Sequence, residues 1–187
     1  GFEFTSWSGA LDSSANPVSF TVEGSLELNA DFTALPAPNR FALSPLQTGR
    51  RALRLDLAPT APDEYLLLAH LSTQSGPWTA YLPGSGLLIL HVNDAVVTER
   101  LDANTVNALD PHGIAVLEAD GNGSLATLEP DSSRDTGSPG DLYPSLSDSL
   151  VNPVTHEGSA SSLALRDISL GSSSTGPSIS FEAEYEQ

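Results

Sequence analysis

Ser178-Ile179-Ser180-Phe181-Glu182-Ala183-Glu184-Tyr185-Glu186 alternates between two kinds of side chain without a break. Successive side chains of an extended chain point to opposite faces. Ile179, Phe181, Ala183 and Tyr185 therefore share one face, and Ser180, Glu182, Glu184 and Glu186 the other. This predicts a half-buried strand with a charged outer surface. The same period recurs where Val18, Phe20 and Val22 alternate with Ser19, Thr21 and Glu23, its parity carrying past Gly24 to Leu26 and Leu28. It recurs again where Leu53, Leu55 and Leu57 flank Arg54 and Asp56.

Two stretches break the alternation. Tyr65-Leu66-Leu67-Leu68-Ala69 and Leu87-Leu88-Ile89-Leu90 are continuously apolar, short and bounded by turn residues. They read as central strands covered on both faces, and Ile114 to Leu117 as a third buried strand. Pro83-Gly84-Ser85-Gly86 stops any helical extension of the second run. With 15 Gly and 14 Pro, helix is expected only as one or two short turns, placed within Asp102 to Asn107. The fold expectation is all-β: a mainly antiparallel β-sandwich with long loops, for which a jelly-roll order is one arrangement. The length of 187 residues fits one β-rich domain over 1–187, with a long acidic loop over 122–149.

Acidic residues outnumber basic ones 24 to 7, a net charge of −17, and every basic residue is Arg. Such a surface repels phosphate, so neither nucleic acid nor an anionic membrane is an expected partner. No run of eighteen apolar residues is present, so membrane insertion by a helix is not expected either. There is no Cys, which excludes disulfides and thiolate metal sites. The missing Lys fits a salt-exposed extracellular protein and equally a GC-rich genome. There is no Met, even at position 1, so the chain reads as a piece of a longer polypeptide.

Catalytic signatures are missing from the sequence. H-E-x-x-H needs two His one helical turn apart, and no two here are closer than His70 and His91. His91 lies in an apolar run and reads as a satisfied core histidine. A zinc site built from strands distant in sequence stays conceivable, but no zinc is expected in this chain. Gly84-Ser85-Gly86 lacks the outer glycines of a nucleophile elbow and reads as a tight turn. No catalytic residue is assigned. The one polar constellation that points to chemistry is Asp120-Gly121-Asn122-Gly123-Ser124, with oxygen side chains at alternate positions as in the start of a calcium loop. It is not an EF-hand, since Leu125 stands where Gly is required and Asp131 where Glu is required. The acidic loop beyond supplies Asp131, Asp135 and Asp141. Asp120, Asn122, Asp135 and Asp141 are the candidate calcium ligands; a solvated acidic loop with an Asp-Gly turn is the other reading.

Four segments carry a family resemblance. They are Glu64 to Leu68, Ala80-Tyr81-Leu82-Pro83-Gly84-Ser85-Gly86 running on to Asn93, Pro111-His112-Gly113 running on to Gly121, and Gly140-Asp141-Leu142-Tyr143-Pro144. In order and spacing they resemble the region downstream of the zinc motif in the M6 (immune inhibitor A-like) secreted bacterial metalloproteases. There the pattern is roughly E-Y-[FL]-L-L-E-N-R, L-P-G-S-G-L-L-I-[WY]-H-[VI]-[DN], L-[VIL]-[EQ]-A-D-G and G-D-x-[FY]-P. Asn152-Pro153 and Leu165-Arg166-Asp167-Ile168-Ser169 extend the likeness, which covers roughly residues 50–186. Two positions depart from it: Ala69-His70-Leu71 replaces E-N-R, and Leu90 replaces the aromatic before the His. The resemblance implies a non-catalytic, extracellular β portion supporting an upstream zinc catalytic domain of the same polypeptide. The alternative is an independent carbohydrate- or surface-binding β-sandwich, with Trp7, Trp78, Tyr81 and Tyr143 as a stacking platform. Core or interface packing of Trp78 and Tyr81 is the expected use.

Overall fold

A computed structural model describes residues 2–9, 28–34, 39–58, 61–126, 137–174 and 176–185. The chain divides into two compact units, Gly1–Pro38 and Asn39–Gln187. In the first, β1 (Phe2–Gly9) and β2 (Leu28–Ala34) form an antiparallel ribbon with a bulge between Phe4 and Ser6. The alternation predicted from Val18 to Leu26 lies outside the described residues. The region of family resemblance falls in the second unit.

That second unit contains eight strands and two short helices among its described residues. In chain order they are β3 (Asn39–Leu43), α1 (Leu46–Gly49), β4 (Leu53–Ala58), β5 (Ala61–Leu71), β6 (Gly86–Asn93), α2 (Asp94–Arg100), β7 (Ile114–Val116), β8 (Leu150–Val151), β9 (Leu163–Ser173) and β10 (Gly176–Tyr185). One four-stranded sheet has the order β3-β10-β9-β8 and the other β4-β5-β6-β7, with every pairing antiparallel. The all-β, sandwich-like expectation holds. β4 to β7 and β8 to β10 each run as a meander, and β3 joins the second sheet beside β10, the last strand of the chain.

Register explains the core. Leu66 pairs with His91, Leu68 with Ile89 and His70 with Leu87. The even positions of β5 and the odd positions of β6 thus share one face. Leu57, Leu66, Leu68, Leu87 and Ile89 from this sheet join Leu163, Leu165, Ile168, Ile179, Phe181 and Ala183 from the other in one buried cluster. Each fully buried Leu or Ile contributes about 1.5–3 kcal/mol. The opposite face of β5 and β6 is only partly covered, as at Tyr65, Leu67, Leu88 and Leu90, and α2 packs on it. The Tyr65 hydroxyl donates to Asp94 at 3.0 Å, and the Arg54 guanidinium lies 3.7 Å over the Tyr65 ring.

Along β10, Ile179, Phe181 and Ala183 are buried as the alternation predicts, whereas Tyr185 is exposed and donates its hydroxyl to the Asp56 carbonyl at 2.8 Å. Glu182 pairs across the strands with Arg40. The register between β9 and β10 slips by one residue opposite Phe181, where Asp167 takes a φ of 52°. This bulge turns the Ile168 N–H out of the ladder to the Asp148 carbonyl at 2.9 Å.

Two expectations need correction. The helices are α1 at Leu46–Gly49 and α2 at Asp94–Arg100, and residues 101–104 are turn. Asn93 caps α2 by accepting the Val96 N–H at 3.0 Å, with Asp94 in the first turn and Arg100 in the last. β7 is not a buried central strand: it spans three residues at the sheet edge, and Ile114 is exposed. Among the described residues it pairs with β6 alone, and Ala115 and Val116 are half-buried.

His70 ends the apolar row of β5 and is fully buried. Its Nδ1 lies 3.1 Å from the Leu43 carbonyl and donates to it, while Nε2 is buried without a partner. Burial pushes its pKa below 6.5, with the Leu43 hydrogen bond opposing. An unfolded chain takes up this proton near pH 6.5, whereas the folded one does so only at lower pH. The contribution to stability is therefore full above pH 6.5 and is lost as pH falls from there to the folded value, by at most about 1.4 kcal/mol per pH unit. Urea midpoints should fall between pH 7 and pH 5.5, and more shallowly in His70→Leu. Equal slopes in both proteins would reject the assignment.

Candidate functional site

Two polar clusters stand out in the second unit. The first is built on the acidic loop. Glu118 and Asp141 are buried and Asp120 is half-buried, and one carboxylate oxygen from each lies within 4.8 Å of the others. Local turns fix each carboxylate. Glu118 accepts the N–H groups of Ser124 at 2.9 Å and Leu125 at 2.8 Å, which closes the 3-10 turn at Ser124–Ala126. Asp141 ends a second 3-10 turn, Pro139–Asp141, and accepts the Ser138 N–H at 2.7 Å in a capping box. The Ala119 N–H donates to the Asp141 carbonyl at 3.0 Å and ties the two turns together. Gly140 makes the approach feasible, because a Cβ there would lie 3.1 Å from Asp120 Oδ2.

Of the candidate calcium ligands, Asp120 and Asp141 are brought together. Asn122 is exposed and gives its backbone N–H and side-chain NH2 to Asp120, both at 3.0 Å, instead of an oxygen to the cluster. Asp135, like Asp131, lies outside the described residues. Glu118 was not anticipated; it stands two residues before Asp120, and the turn closed by the Gly121 N–H on the Glu118 carbonyl at 3.1 Å lies between them. No ion pair among the described residues involves any of the three carboxylates. Three such oxygens form part of the shell a hard divalent cation takes.

The second cluster grows from register. Glu64, at the start of the buried face of β5, is diagonal to His91 on β6. His91 Nε2 lies 2.8 Å from Glu64 Oε2, and the same oxygen accepts the His156 backbone N–H at 2.9 Å. The His91 and His156 rings stack with centroids 4.5 Å apart and planes 20° apart. Burial pushes the His91 pKa down first of all; the Glu64 hydrogen bond raises it and His156 lowers it further. The neutral imidazole is favoured, which donates from Nε2 to Glu64. Neither Glu64 nor His156 carries a sequence signal for this site. They are 92 positions apart, and only the folded chain joins them.

The remaining candidates are quickly placed. Ser85 Oγ accepts the Thr73 N–H at 3.0 Å, which holds the turn before β6, consistent with a structural serine. His112 is half-buried. Trp78 precedes and Tyr81 ends a 3-10 turn at Thr79–Tyr81, and they are 88% and 90% exposed, so neither packs in the core. Tyr143 is buried in the core and cannot join them in a platform, and the Trp7 side chain lies outside the described positions. A comparison of the chain with protein-family models, curated proteins and solved structures finds no match.

Proposed function

We propose that this chain is a non-catalytic β portion of a secreted bacterial M6-like metalloprotease, with a structural calcium ion in its acidic pocket. The supporting observation is that the four segments carrying the resemblance, scattered over eighty residues of sequence, meet at one corner of the second unit. β5 and β6 pair directly, Leu87 and Tyr143 exchange backbone hydrogen bonds at 2.7 and 3.2 Å, and Ala119 bonds Asp141. Segments that build one unit together keep their order and spacing together. In this reading an upstream domain of the same polypeptide holds the zinc and the chemistry. The coding sequence upstream of Gly1 tests it: an H-E-x-x-H motif is expected there, and a parent without one overturns the reading.

The calcium part has its own test. An ion that binds only the folded state at a hundredfold excess over Kd adds about 2.7 kcal/mol, or about 5–10 °C in Tm for a unit of this size. Calcium should raise Tm over chelator, magnesium should do less, and Asp120→Asn should abolish most of the gain. Superimposable melts with calcium and chelator retire the idea.

A second reading is favoured by the exposure of Trp78 and Tyr81, because large aromatics so free of cover are uncommon without a partner. They would serve a carbohydrate- or surface-binding module by stacking on a ligand. In the first reading they face the catalytic domain. Saturable quenching of tryptophan fluorescence by a glycan, lost in Trp78→Ala, would favour the module.

A further inference from the structure

A core histidine paired with a carboxylate accounts for His91 and Glu64, but not for His156. That second imidazole stacks on the first, and its Nε2 is buried with no hydrogen-bond partner. A polar atom shut off from water and left unpaired is destabilising unless something binds it. Both histidines line an open cleft of about 500 Å3, whose other walls include Leu117, Leu150, Pro153 and Val154. The cleft therefore carries two imidazoles beside Asn152, Thr155 and four apolar side chains, and the Glu64 carboxylate stands behind them, bonded to His91 Nε2 and to the His156 N–H. One ligand atom each from Glu64, His91 and His156 lies within 4.8 Å of the other two.

We propose that Glu64, His91 and His156 form a three-ligand site for a divalent transition ion of the zinc class. The donor chemistry selects the ion. Two imidazole nitrogens and one carboxylate oxygen suit zinc and its first-row neighbours, while calcium and magnesium take all-oxygen shells. Ligand bonds near 2.0–2.2 Å place the donor atoms of a tetrahedral ion about 3.4 Å apart. The His91–Glu64 contact of 2.8 Å opens slightly as the ion takes the place of the Nε2 proton, the neutral His91 ring then carrying its proton on Nδ1, and rotation of the stacked His156 ring closes the wider gap. The backbone already holds two ligands in place: Glu64 and His91 sit on adjacent central strands, and the His156 N–H fixes Glu64 from the other side. Three protein ligands leave a fourth position for water. This site is independent of the protease reading, and either can fail without the other.

Cobalt(II) titration of the chelator-treated full chain tests it. One equivalent of Co(II) should develop the intense visible bands of a four-coordinate ion, and equimolar zinc should bleach them. His156→Ala should weaken binding at least about 100-fold, and Glu64→Gln, which keeps an acceptor for the His156 N–H, by a similar factor. Both variants should keep the far-ultraviolet circular dichroism of the parent. Asp120→Asn, in the acidic pocket, should leave the spectrum unchanged. The proposal is overturned if the visible spectrum stays that of hydrated cobalt. It is equally overturned if the bands survive His156→Ala, and bands that vanish in Asp120→Asn place the ion in the acidic pocket instead.

Discussion

Phe181→Ala lowers the unfolding free energy by about 3–5 kcal/mol, the range for an aromatic truncated in a close-packed interior. Phe181 lies in the middle of the buried cluster that joins both sheets. It sits directly across from Phe41 on β3, their rings stacked with centroids 5.5 Å apart. On its other side β9 bulges at Asp167, so the backbone there is already committed to an unusual shape and cannot easily settle into the space left behind. Loss of the ring removes both burial and the aromatic pair. Domains of this kind have about 5–15 kcal/mol in total, so a large part of the stability goes. Phe181→Leu should cost much less, because most of the volume is kept. Urea denaturation of the two variants measures the contrast. A Phe181→Ala loss under about 1 kcal/mol would mean that the strand is not packed as described.

How much was legible in advance follows from the range of each signal. Alternation is local, and it located β4 and β10 to within a residue or two. The continuous Leu runs located β5 and β6, although their outer face proves only half covered. The helix was misplaced because Val96, Val97 and Thr98 are poor helix formers, and their β-branched side chains masked the signal. What starts α2 is the Asn93 cap and the Asp94 that follows, which can be read from sequence only by weighting capping above propensity. Both clusters lay beyond local reading for a different reason. Asp120 and Asp141 meet through two turns and one backbone bond, and Glu64 reaches His91 through strand register and His156 through the return of the chain after β8. Alternate oxygen side chains pointed to Asp120 and the acidic loop to Asp141, while Glu118 went unread. Nothing in spacing pointed to the second.

Gly86 connects fold and site, and its substitution should be the most informative change in the molecule. It opens β6 opposite Leu71, just before the Leu87–Tyr143 exchange of backbone bonds. A Cβ added at Gly86 would run into the Tyr143 carbonyl oxygen, well inside contact distance, and would lie 2.8 Å from the Leu142 Cβ. Neither neighbour can yield by rotating a flexible side chain, because one is backbone and the other is a Cβ, whose position the backbone fixes. Gly86→Ala must therefore push residues 142–143 away from the sheet. Overpacking of a tight interior costs about 1–3 kcal/mol. Each backbone bond weakened in the process costs about 1 kcal/mol more. The expected loss is about 2–4 kcal/mol, and Gly86→Val should exceed it. The displaced segment also carries Asp141, whose carbonyl accepts the Ala119 N–H and whose carboxylate belongs to the acidic pocket. The calcium-dependent gain in Tm should accordingly shrink in Gly86→Ala and persist in Phe181→Ala, although both variants are destabilised to a similar degree. If the gain shrinks equally in both, it reflects general stability rather than a pocket held together at the Leu87–Tyr143 bridge.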